Sequence, residues 1–329
     1  MPARIARSSA LVSGCDLLAA HADWSIDRRK RWMTVAQRDG NNWSVAAPQS
    51  VGDPATLFAR LTALSGGCPV VFGGDFPLGL PRAYAARHAR EPNFPSFLHA
   101  LVRRPDFFTV CETLEQVRPD RPFYPARGVA GMTRAHHAEA LGLDDADALC
   151  RACDRATDER PAGAPLFWTL GANQSGKAAI AAWRDLLLPA LATPTPPLLW
   201  PFDGDLHTLI APSRTVVAET YPAEALRHFG MRLAGSKRRQ ADRRALAPAL
   251  RAAMTRLGAV PDRNLDTTLM LGFGEDPAGE DRFDSLIGVL CVMNVLSGNR
   301  PGSVPDDPWI RTWEGWVLGQ TALPRSQPR

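Results

Sequence analysis

Reading from the amino end, the first ordered pattern is the apolar run Leu17-Leu-Ala-Ala-His-Ala-Asp23, which predicts a buried strand ending in a carboxylate. Arg31 to Gln37 alternates, Arg38-Asp-Gly-Asn-Asn42 is turn chemistry, and Trp43 to Ala47 returns as a further strand. Together these segments predict a three-stranded meander. Asp53-Pro54 then opens a helix with Leu57, Phe58, Leu61 and Leu64 on one face, and Gly66-Gly67 stops it. Pro69-Val-Val-Phe-Gly-Gly-Asp75 reads as a fourth strand, again ending in a carboxylate.

The pattern changes from Arg82 to about Pro201. Pro-rich turns separate predicted helices at Thr133–Leu141, Asp145–Thr157 and Lys177–Leu191, and Thr193-Pro-Thr-Pro-Pro197 reads as an exit linker. We read 82–201 as a mainly helical insertion between strands four and five of a single 1–329 domain. Thr215-Val-Val-Ala-Glu219 is the fifth strand, with a third terminal carboxylate. Pro222 starts a helix, a second is predicted over Lys237–Leu257, and Asp281–Leu296 is an apolar helix.

Composition narrows the class. Apolar residues make up 45% and charged residues 22% of the 329, which excludes a fully disordered chain. No apolar stretch reaches the ~18 residues a membrane helix needs, so no membrane partner is expected. The net charge of +4 permits a polyanionic partner without requiring one. Arg4 and Arg7 precede Val12-Ser13-Gly14-Cys15, which imitates a lipoprotein cleavage box but lacks the ~7–15-residue apolar core of a real signal. Six dispersed cysteines fit a reduced cytoplasm, the expected compartment. Cys150-Arg-Ala-Cys153 has no second pair at zinc spacing and reads as buried thiols on one helix face.

The acids carry the chemistry. Asp23, Asp75, Glu219 and the pair Asp281/Asp284 each lie at the end of an apolar element, and strand ends are where open α/β sheets bind ligands. At i, i+3 spacing, Asp281 and Asp284 share one helical face. Converging carboxylates repel unless a cation neutralises them, and hard oxygen donors suit Mg²⁺ or Mn²⁺. Two such ions are a common device for phosphodiester hydrolysis, activating water and stabilising the leaving oxygen. Any one of these acids would equally serve as a cap or turn residue. It is their number that points to a site.

The order β-β-β-α-β-α-β-α, with acids on strands one and four and on the last helix, resembles the ribonuclease H fold. The strings His21-Ala-Asp-Trp-Ser25, Gly74-Asp-Phe-Pro-Leu-Gly-Leu-Pro81, Trp200-Pro-Phe-Asp203 and Glu219-Thr-Tyr-Pro222 resemble the family called domain of unknown function 429. The likeness covers roughly residues 17 to 298. It implies an α/β, ribonuclease H-like mixed sheet flanked by helices and nuclease activity. It further implies metal-binding roles for Asp23, Asp75 and Asp284, with Glu219 beside them and Asp281 following a resolvase-like Asp-x-x-Asp pattern.

Two secondary signals concern phosphates. Gly171-Ala-Asn-Gln-Ser-Gly-Lys177-Ala178 nearly matches a P-loop, but Ala178 replaces the hydroxyl residue that would hold Mg²⁺. Lys177 remains a candidate phosphate contact. Gly235 to Arg244 is the densest basic segment, and Lys237, Arg238 and Arg243 are the expected contacts to a nucleic-acid backbone. The histidines at 88, 99, 136 and 137 lack ligand spacing. Trp309, Trp313 and Trp316 form a stripe better suited to core packing. The expected function is a metal-dependent nuclease acting on DNA or RNA. The alternatives are a non-catalytic nucleic-acid or protein-binding module and a nucleotide hydrolase or phosphotransferase.

Overall fold

β1 (Leu17–Asp23) is buried on both faces, which explains its nearly continuous apolar run. It lies inside an eight-stranded mixed sheet with β2 (Trp32–Asp39), β3 (Asn42–Val45), β4 (Gln49–Ser50), β5 (Val70–Gly74), β6 (Leu198–Leu199), β7 (Thr215–Glu219) and β8 (Ala259–Pro261). The order is β6-β7-β5-β1-β2-β3-β8, with β4 pairing β2. β1, β2 and β3 form the antiparallel meander, while β1, β5, β7 and β6 run parallel. The structure is a computed structural model describing residues 15–128, 131–171 and 175–325. The signal-like string through Gly14 and residues 172–174 of the glycine-rich loop lie outside the described residues. Among the described residues no helix is long and apolar enough to cross a membrane.

The helices are α1 (Leu57–Ser65), α2 (Arg82–His88), α3 (Phe94–Leu101), α4 (Arg134–Ala140), α5 (Ser175–Ala182) and α6 (Leu188–Leu191), with a π-helical stretch, Trp183–Leu187, joining the last two. There follow α7 (Leu206–Leu209), α8 (Pro222–His228), α9 (Gln240–Ala245), α10 (Ala247–Arg256), α11 (Arg263–Met270) and α12 (Gly279–Leu296). Local chemistry sets the ends of α1 as the sequence predicts. Asp53 accepts a hydrogen bond from the Ala55 amide in the turn leading into it, and Gly66 closes it with a left-handed φ of 62°.

Two predicted helices differ. Asp145–Thr157 is two single 3-10 turns, Ala146–Leu149 and Ala152–Asp154, because the intervening Cys150 and Arg151 adopt extended backbone. Cys150 and Cys153 therefore share no helix face, although both are buried free thiols. Lys237–Leu257 is divided into α9 and α10, which meet at Leu246; Pro248 sits in the first turn of α10, where its missing N–H is tolerated. β4, β6 and β8, of two or three residues each, carry no periodicity from which a strand could be predicted.

Even-numbered β1 residues Leu18, Ala20 and Ala22 pack with α1 and the 82–201 segment, whereas Leu17 and Ala19 pack against α12. Two hydrogen bonds fix the direction of α12. Thr34 and Ser285 hydroxyls meet at 2.9 Å near the His21 level, and Trp43 Nε1 donates to Ser297 Oγ at 3.4 Å near the Leu17 level. α12 thus runs antiparallel to β1. Between these points the His21 ring lies on Gly288, and a Cβ there would overlap the ring. Gly288→Ala should cost roughly 1–3 kcal/mol, since neither the buried ring nor the helix can yield cheaply. The check is the urea midpoint; an unchanged value would mean that this contact does not set the helix position.

Candidate active-site cleft

The register of the sheet brings the acids together. Asp23 ends β1, and Asp75 follows the parallel β5, whose Gly74 is level with Ala22. The Asp75 amide donates to the Ala22 carbonyl at 3.1 Å. From His21 to Asp23 is two strand residues, ~6.6 Å, and from Gly288 back to Asp284 is one helical turn, ~6 Å. Because α12 is antiparallel to β1, both steps go the same way, so Asp284 arrives level with Asp23. Asp281 follows one turn further out.

These four aspartates line one cleft of about 400 Å³, together with Glu280. Its other walls carry Lys30, Lys177, Lys237 and Arg238, with Trp24 and Tyr221. Burial, reinforced by Asp284, Asp75 and Asp281, pushes the Asp23 carboxyl well above its usual range. Burial and Asp284 push Asp75 up to about 7, and burial pushes Asp281 up to about 6. Asp284 is also raised by burial, against the opposing pull of Lys237. Burial would neutralise Lys237, but Asp284, Glu280 and Asp75 keep it protonated. Its ammonium bonds Asp284 Oδ2 and lies 3.4 Å from Glu280 Oε1.

Glu219 does not join them. It is buried in a bidentate pair with Arg151, at 2.6 and 2.7 Å, and accepts the Leu78 amide at 2.8 Å. The strand-end rule predicts a ligand, but a guanidinium from 68 residues away takes both oxygens. Glu219, Asp154 and Cys153 do place ligand atoms within 4.8 Å of one another, the group of that tightness among the described residues. Arg151 already supplies their cation, since it also donates twice to Asp154 at 2.9 Å. Burial holds the Cys153 thiol protonated as well. The four cleft aspartates are spaced more openly, with Lys237 among them.

Of the predicted phosphate contacts, Lys177, in the first turn of α5, and Lys237 and Arg238 face the cleft. Arg243 does not: it is buried, and its guanidinium donates to the carbonyls of Lys237 (2.5 Å), Gly272 (3.0 Å) and Gly274 (2.6 Å). It clamps the loop instead. Sequence reasoning misses Lys30 and Glu280, which sit outside the motifs, and passes over Trp24 inside the His21–Ser25 string and Tyr221 inside the Glu-x-Tyr-Pro string. Of the other histidines, His137 Nε2 bonds the Pro122 carbonyl and His88 Nε2 the Leu141 carbonyl, while His99 and His136 are exposed; Trp316 Nε1 donates to Gln320 O.

Comparison with protein-family models, curated proteins and solved structures finds no match. The cleft must be read from its own chemistry. A carboxyl whose folded pKa is raised favours the native state when protonated, so metal-free stability should fall as pH rises from about 4 to about 7. Asp75→Asn should remove on the order of 1–3 kcal/mol of that loss. Melting curves in EDTA at pH 5 and pH 8 check this. Equal pH dependence in the two proteins would show that Asp75 ionises freely.

Proposed function

We propose that this chain is a divalent-metal-dependent nuclease built on a ribonuclease H-like core. One observation carries the reading: Asp23, Asp75, Asp281 and Asp284 converge in a cleft whose walls carry Lys30, Lys177, Lys237 and Arg238. Support also comes from the strand sequence, an antiparallel meander followed by parallel strands, and from the acids' places on the first strand, after β5 and on α12. The donor set is all carboxylate oxygen, which fits Mg²⁺ or Mn²⁺ rather than softer metals. Asp23, Asp75 and Asp284 would hold the metal, with Asp281 at the rim. Bound there, a metal supplies an activated water and charge stabilisation for the leaving oxygen.

The chain's own work is to place the phosphate. The acidic floor and the basic rim have separate roles. The carboxylates attract cations, while the lysines and Arg238 attract the backbone on either side of the scissile bond. Lys177 at the start of α5 also favours a second reading, a nucleotide hydrolase or phosphotransferase using the same cleft. That reading expects nucleotide-dependent thermal stabilisation.

The test is Mg²⁺- or Mn²⁺-dependent cleavage of DNA and RNA by wild type and Asp23→Asn. The substitution keeps the side-chain shape and removes a charge, so cleavage should fall at least ~10³-fold. Equal rates, or cleavage that persists in EDTA, would remove Asp23 and the metal from the reaction.

A further inference from the structure

Four aspartates and Glu280 share a cleft whose nearest cation is an amine on the protein itself. The Lys237 ammonium bonds Asp284 and sits beside Glu280, near enough to Asp75 and Asp23 to favour their ionised forms. We infer that Lys237 is a resident counter-cation, holding the acids together in the metal-free protein and yielding its place when a divalent ion binds. This rests on the metal-site reading above.

The loop is built for such an exchange. The Lys237 carbonyl accepts a 2.5 Å hydrogen bond from buried Arg243, whose other two donors hold Gly272 and Gly274. The loop is anchored further where the Ser236 amide donates to Asp242 at 2.8 Å. The backbone at position 237 is therefore pinned, while the side chain is 46% exposed and has water to turn into. Rotation about side-chain bonds suffices, and no segment need unfold. An ammonium close to the aspartates offsets their repulsion, whereas a divalent ion offers twice the charge and direct ligation by several oxygens. The released ammonium stays tethered at the cleft wall, which it shares with Arg238 and Lys177, where it can take a substrate phosphate. Lys237 is thus a positioning residue in one state and a phosphate contact in the other.

Arg238 provides the comparison. It lines the same cleft with a similar charge, but it is 81% exposed, and among the described residues its one acidic partner is Glu280, at 3.8 Å. The experiment is calorimetric titration of Mn²⁺ at pH 8 into wild type, Lys237→Met, Lys237→Arg and Arg238→Met, with melting curves in EDTA. Lys237→Met should bind Mn²⁺ at least ~10-fold more tightly than wild type and melt lower without metal, because a nearby competing charge has gone. A Lys237→Met protein that folds only with Mn²⁺ supports the same role. Lys237→Arg should stay within about 3-fold of wild type, and Arg238→Met should gain less than about 3-fold from its distant charge. Wild type that binds Mn²⁺ with Lys237→Met no tighter than Arg238→Met overturns the exchange and leaves the metal site standing. No Mn²⁺ binding by any of the four proteins overturns both.

Discussion

The Arg151 guanidinium, wholly buried between Asp154 and Glu219, joins stretches of chain that are far apart in sequence. It also donates to the carbonyls of Leu78 and Glu314, at 3.1 and 3.4 Å. A buried charge with two carboxylate partners is held by its geometry, and removing one partner of such a pair typically costs ~3–5 kcal/mol. The 82–201 segment is thereby tied to the end of β7, to the loop after β5 and to the C-terminal turn. That loop is also held by the Leu80 amide on the Trp313 carbonyl, at 2.7 Å. Gly79 passes so close to Glu314 that a side chain would meet its carbonyl. The position of Asp75, three residues before Leu78, depends on this lock.

The cleft and the lock are neighbouring acid clusters with different solutions to one electrostatic problem. At the lock, a planar guanidinium satisfies four carboxylate oxygens with directed hydrogen bonds and leaves no room for exchange. In the cleft, a flexible ammonium bonds one aspartate and sits near the others, at a partly wet edge. Arginine closes a site permanently where lysine can be moved, because the ammonium has rotatable donors and a long stem. Glu219, which is level with Gly74, and Asp75, the next residue along, have gone to opposite sides of this division.

Much of this is legible in the sequence, and for identifiable reasons. The Leu17–Asp23 run, the turn at Asp39-Gly40 and the apolar helix that begins at Asp281/Asp284 are local patterns, and each places its element where the structure has it. Glu219 escapes such rules because its partner Arg151 comes from a segment with no regular period, so no local pattern could pair them. Arg243 escapes them because a charge run looks solvated, and only the fold reveals three carbonyls facing one guanidinium. The cysteine segment looks helical since spacing alone cannot detect that Arg151 must turn inward, pulling its backbone into extended form. The short strands β4, β6 and β8 exist through pairing with neighbours, and two or three residues carry no period of their own.

Gly288 beneath the His21 ring and Gly73 beneath the Val292 and Thr220 side chains let α12 approach the sheet with one side chain, not two, at each of these contacts. The separation between Asp284 and the aspartates at the sheet edge is consequently set by how closely these side chains seat on glycine backbone in the core, not by the reach of the acids. Short aspartate side chains cannot compensate for a helix that rides higher. The spacing of the acids is therefore encoded at Gly288, one helical turn from Asp284, and at Gly73, neither of which lines the cleft. Changing the size of residues 73 and 288 would respace the four carboxyl groups while every acid stayed the same.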